Sequence, residues 1–95
     1  MQFKDILNKY LKETNSTSKE LSTTSGISES VISRYRSGKR TPNINSPHIT
    51  TLATSLSILS KKNIHINENI ILKELTTSLN NNFNYENLSN NLNNL

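Results

Sequence analysis

The sequence predicts an all-α fold: a compact set of five short helices followed by an extra helical segment at the C-terminal end. Three observations point there. Apolar residues recur at helical spacing along most of the chain, as in Phe3, Ile6, Leu7, Tyr10 and Leu11. Ser or Thr stands ahead of several of these stripes as a ready N-cap, at Thr17, Ser28 and Ser46. The chain has 2 glycines, and each falls where a short helix must stop.

The first stripe predicts a helix over about 2–13, broken by Thr14, Asn15 and Ser16. Thr17-Ser18-Lys19-Glu20 is a capping box, in which the Thr17 hydroxyl takes the Glu20 N–H and Glu20 reaches back. A short helix over about 18–25 follows, burying Leu21, and Gly26 ends it in a position suited to positive φ. Ile27 packs inward. Ser28 caps a third helix, about 29–37, with Ile32 and Tyr35 on its inner face and Gly38 at its end. Thr41-Pro42-Asn43 is a loop. Ser46-Pro47 pairs an N-cap with proline at the first helical position. The stripe Ile49, Leu52, Ala53, Leu56, Leu59 then predicts a helix over about 47–60, with Lys61 and Lys62 near its C-terminal dipole. Asn67-Glu68 opens a fifth helix carrying Ile70, Ile71, Leu72, Leu75 and Leu79. Last, Tyr85, Leu88, Leu92 and Leu95 recur at 3, 4 and 3 residues, a narrow heptad-type seam too short to stand alone.

At 95 residues the chain is one small domain, or one domain with an appendage. We divide it into a domain over 1–62 and a C-terminal helical segment over 63–95. Hydrophobic residues make up 32% and mean hydropathy is −0.60, so a core is affordable over part of the length only. Of 16 asparagines, 9 fall between Asn80 and Asn94. The absence of cysteine excludes disulfides, thiol catalysis and Cys-type metal sites. No apolar run approaches the ~18 residues of a membrane span, and residues 1–15 lack a signal-peptide core. The expectation is a soluble cytoplasmic protein with no membrane association.

Net charge is +4, but its distribution says more. No acid lies between Ser30 and Asn67, a stretch that holds Arg34, Arg36, Lys39, Arg40, Lys61 and Lys62. Such local basicity reads as an anion-facing surface, or more blandly as a solvated one. His48 and His65 are 17 apart with no carboxylates grouped around them, so no metal site is expected. There is no nucleophile–base pair, no pair of carboxylates and no glycine-rich phosphate loop. We expect neither catalytic residues nor a cofactor.

Two short capped helices joined by a tight glycine turn are a helix-turn-helix pattern. The run Ser18-Lys19-Glu20-Leu21-Ser22, continued by Gly26-Ile27-Ser28-Glu29-Ser30-Val31-Ile32-Ser33-Arg34-Tyr35-Arg36-Ser37-Gly38-Lys39-Arg40-Thr41-Pro42, resembles the lambda-repressor-like, or Cro/XRE-type, helix-turn-helix family. The resemblance covers about residues 2–60. It implies five helices, with the third in the DNA major groove and double-stranded DNA as the partner. It further implies a homodimer on a palindromic operator, with half-sites about 34 Å apart. There are departures. Ser18 stands where the family usually has Gln, Arg36 stands where an acid is common, and the segment Asn43–Ser46 is about two residues longer.

The outward face of the third helix is polar, which suits a groove edged with phosphates. Arg34 is the expected base reader, through a bidentate contact to guanine. Ser30 and Ser33 can donate or accept at several bases. Glu29 accepts from cytosine N4 or simply favours the positive end of its helix. Val31 touches a thymine methyl or joins the edge of the core. Thr17, Ser18, Ser28, Arg36, Lys39, Arg40 and Thr41 are the expected phosphate contacts. The apolar surplus after residue 64 either supplies a dimer surface or packs on the chain's own domain. Two other readings stay open: a protein–protein interaction module on the same fold, and the DNA-binding piece of a longer signal-sensing regulator.

Overall fold

The computed structural model describes residues 1–61, 63 and 65–93, with the backbone alone from residue 81 onward. The elements are α1 (Phe3–Glu13), α2 (Ser18–Ser25), α3 (Glu29–Ser37), α4 (Pro47–Leu59) and α5 (Glu68–Asn93). There is no strand among the described residues.

Local chemistry sets the boundaries. The Asp5 carboxylate accepts from the Gln2 N–H at 3.0 Å and fixes the start of α1. At α2 the capping box is closed in both directions, Glu20 N–H to Thr17 Oγ1 and Thr17 N–H to Glu20 Oε1, each at 3.1 Å. Ser28 Oγ takes the Val31 N–H at 3.3 Å and Ser46 Oγ takes the His48 N–H at 3.1 Å. Gly26 ends α2 with φ +77° and Gly38 ends α3 with φ +81°, a region that disfavours any residue with a Cβ. Asn67 Oδ1 takes the Ile70 N–H at 2.9 Å and opens α5.

The buried apolar residues form one cluster. It joins Phe3, Ile6, Leu7, Tyr10 and Leu11 of α1 to Leu21, Ile27, Ile32 and Tyr35 of the helix-turn-helix. Ile49, Leu52, Ala53 and Leu56 of α4 complete its centre. The cluster continues past residue 62, because Ile66, Ile71 and Leu75 are in it too. So the first turns of α5 pack on α1 and α4 and cover the core themselves. Val31 packs against the edge of this core, the second of its two expected places.

A polar contact with α1 helps to pin α5. Glu74 accepts from Lys9 Nζ and from the Tyr10 hydroxyl, both at 2.7 Å. Burial alone would raise the Glu74 carboxyl, but the two hydrogen bonds and the Lys9 charge outweigh it and hold it low. The same contact works the other way on Tyr10. Burial, the bond to Glu74 and its negative charge push the phenol well above its ordinary value.

α5 runs unbroken for 26 residues, where the sequence suggested a shorter helix and a separate seam. At 1.5 Å per residue that is about 39 Å, longer than the core it helps to cover. The side chains of Tyr85 and Leu88 through Leu95 lie outside the described residues, as do Lys62 and Ile64. No helix among the described residues is long and apolar enough to cross a membrane.

Candidate nucleic-acid interface

α2 and α3 meet at a turn held from both sides. Gly26 supplies the left-handed residue, and the Ser22 hydroxyl donates to the Ile27 carbonyl at 2.6 Å. Ser22 thereby ties the last turns of α2 to the entry of α3. Ile32 and Tyr35 bury the inner face of α3 completely. What remains outward is Glu29, Ser30, Ser33, Arg34 and Ser37, all exposed.

Among the described residues, nothing covers that face. Ser30, Ser33, Arg34, Ser37 and Lys39 line a shallow cleft of about 310 Å³ along it. The Arg34 guanidinium makes no hydrogen bond or ion pair among the described residues, whose one ion pair is Lys9–Glu74. Glu29 sits in the first turn of α3, where its charge meets the helix dipole favourably. The Ser28 hydroxyl accepts the capping N–H of Val31, and Ser30 Oγ lies 3.3 Å from it.

The loop after α3 curls back on the helix. The Arg40 N–H donates to the Arg34 carbonyl at 3.2 Å and the Lys39 N–H to Ser37 Oγ at 3.3 Å. The Arg40 guanidinium lies 5.7 Å from the centre of the Tyr35 ring, within cation–π range. Lys39, Arg40 and Thr41 are exposed beside the C-terminal turn of α3. Thr17 and Ser18 open α2 on the neighbouring edge.

Arg36 is placed differently from the other cations. Its Nε donates to Asn8 Oδ1 and its Nη1 to Ser18 Oγ, both at 2.7 Å. Asn8 Nδ2 in turn donates to the Arg36 carbonyl at 3.0 Å. The side chain is half-buried at the junction of α1, α2 and α3.

Two residues of this region carry no signal in the sequence. Asn8 sits among the polar positions of α1 and looks like ordinary surface. Lys4, also on α1, runs its stem along Gly38, so that a Cβ at Gly38 would lie 2.9 Å from Lys4 Cδ and 3.6 Å from Nζ. Lys4 thereby joins Lys39 and Arg40 at the C-terminal end of α3. His48, read above only as lacking metal partners, is a structural partner of Tyr35, with Nδ1 2.8 Å from the hydroxyl.

A buried-backed helix with an open polar face, preceded by a capped helix and followed by a basic loop, defines the helix-turn-helix class of DNA-binding domains. Residues 6–59 match the family model described as the Cro/C1-type HTH DNA-binding domain. That match spans more than half of the chain, and the chain belongs to this family. No curated protein and no solved structure matches it significantly.

Proposed function

We propose that this protein is a transcriptional regulator that binds a specific double-stranded DNA sequence by laying α3 in the major groove. The observation that carries this reading is the unobstructed outward face of α3, with an unpaired Arg34 at its centre among the described residues. Arg34, Ser30, Ser33 and Glu29 contact base edges. Lys39, Arg40 and Thr41 hold phosphates on one side of the groove, and Thr17, Ser18 and Ser28 on the other. Arg36 touches this second group through Ser18.

One such domain makes few contacts. A pair of copies on a palindromic operator multiplies them, and the heptad-type repeat of Tyr85, Leu88, Leu92 and Leu95 offers a seam for pairing. Repression follows if the operator overlaps a promoter.

The experiment is a selection from random duplexes, followed by titration of the best sequence and of a random one at two salt concentrations. A selected sequence with two inverted half-sites about 34 Å apart supports both the reading and the dimer. Affinity must fall steeply with salt, by a log–log slope of about 0.9 per phosphate neutralised. Binding of a helical protein partner with no DNA affinity at low salt overturns the reading in favour of an interaction module.

A further inference from the structure

We infer that Arg36 is a positioning residue, and that with Asn8 and Ser18 it sets the angle at which α3 presents its base-reading face. The inference rests on the DNA-binding reading above and deepens it.

Three kinds of contact hold α3 to the rest of the domain. Ile32 and Tyr35 bury its inner face. Apolar burial is non-directional, so it fixes the depth of the helix better than its rotation. The Ser22–Ile27 bond holds the entry to the helix, and the Tyr35 hydroxyl bonds to His48 of α4. The polar contact to α1 and to the start of α2 runs through Arg36. Here Asn8 grips side chain and main chain of the same residue, taking Nε at 2.7 Å and giving Nδ2 to the carbonyl at 3.0 Å. Nη1 reaches Ser18 at 2.7 Å. A planar guanidinium with two donors committed at fixed angles resists rotation in a way one flexible contact does not. Charged donors also make the stronger hydrogen bonds.

Ser33 and Arg36 are three apart, hence neighbours on α3, and both line a cleft of about 450 Å³ together with Asn8, Ser18 and Ser37. The base-reading face begins at Ser33, so a turn of α3 about its axis at Arg36 re-aims Ser33, Arg34 and Ser30 together. Placing Arg36 here also makes sense of Ser18, whose short hydroxyl leaves room for the guanidinium to reach the first turn of α2.

The test uses the full chain, its best selected duplex and a random duplex. Asn8→Ala removes the grip without touching any charge. It should lower the selected-to-random affinity ratio about tenfold, in the range that loss of one base contact forfeits, with the salt slope unchanged. Arg36→Lys keeps the charge but not the fork, and should behave like Asn8→Ala. The double variant should be no worse than either single one. Circular dichroism confirms that each variant keeps its helices. If Arg36→Gln lowers the slope by about 0.9 and weakens both duplexes equally, Arg36 is a phosphate contact and the inference fails. It also fails if Arg36→Lys behaves as wild type, or if the two substitutions add. Wild-type protein that binds no DNA at low salt overturns the functional reading itself, a result distinct from each of these.

Discussion

The hydroxyl of Tyr35, on the inner face of α3, lies 2.8 Å from Nδ1 of His48 in the first turn of α4. The ring beneath it is fully buried and meets Phe3 edge-to-face at 5.8 Å. One side chain therefore packs α3 on α1 and bonds it to α4. Tyr35→Phe keeps the packing and leaves the part-buried His48 nitrogen without its partner. The expected cost is about 1 kcal/mol, read as a lower midpoint in urea with an unchanged slope. In a double-mutant cycle with His48→Ala, a coupling energy of zero would show that the bond contributes nothing.

Glu74 makes stability depend on pH at both ends of the range. Its folded carboxyl titrates below the ordinary ~4.3, since burial is outweighed by the bonds from Lys9 and Tyr10. The contact is thus fully present above that value and is lost as pH falls through the lower folded one. Tyr10 is raised instead, by burial first and then by Glu74. Its contribution is present below about 10 and is lost as pH rises beyond it, because the unfolded phenol ionises first. Glu74→Gln should flatten the acid limb of a thermal-stability profile, and Tyr10→Phe the alkaline limb. Unchanged limbs in both variants would mean that α5 is not held by this contact.

The helices themselves were legible because their signals are local. Thr17 and Glu20 are three residues apart, and Gly26 needs only its own backbone angle to be understood. The open face of α3 was legible for the same reason, from Ile32 and Tyr35 on one side and Ser30, Ser33 and Arg34 on the other. What escaped reading joins residues far apart in sequence. Asn8 and Arg36 are separated by 28 residues, Lys9 and Glu74 by 65, and neither spacing leaves a periodic trace. Charge patterning records the sign of Arg36 but not its partners, Asn8 and Ser18. The length of α5 escaped for a further reason. Its asparagine-rich second half carries only the narrow seam that starts at Tyr85 and reads as a separate segment, yet the backbone continues without a break.

The two glycines should respond differently to the same substitution. A Cβ at Gly26 meets nothing within 4 Å, so Gly26→Ala is opposed by left-handed backbone strain alone, about 1–2 kcal/mol. Gly38→Ala carries the same strain and in addition drives a Cβ to 2.9 Å from Lys4 Cδ. That stem is flexible and gives way, carrying its ammonium off the end of α3. Both variants should lose similar stability in urea. On DNA, Gly38→Ala should also show a shallower salt slope, and Lys4→Gln should reproduce that loss, about 0.9, without the loss of stability. Equal slopes for wild type and Lys4→Gln would show that Lys4 meets no phosphate.

Arg34 and Lys39 border one cleft but should fail in different ways. Arg34 presents a guanidinium with no partner among the described residues, from the middle of α3, where a bidentate pair with guanine is geometrically open. Arg34→Ala should cost roughly 1–3 kcal/mol on the selected sequence and little on a random one, so that preference at one base position relaxes. Lys39 stands past Gly38, off the helix, with its backbone tied to Ser37. In the proposed complex it faces phosphates, which carry no sequence information. Lys39→Ala should weaken the selected and random duplexes alike and lower the salt slope by about 0.9. The two profiles must differ if α3 enters the groove as proposed. Identical losses on both duplexes would place Arg34 over the backbone, and α3 would then lie across the groove instead of in it.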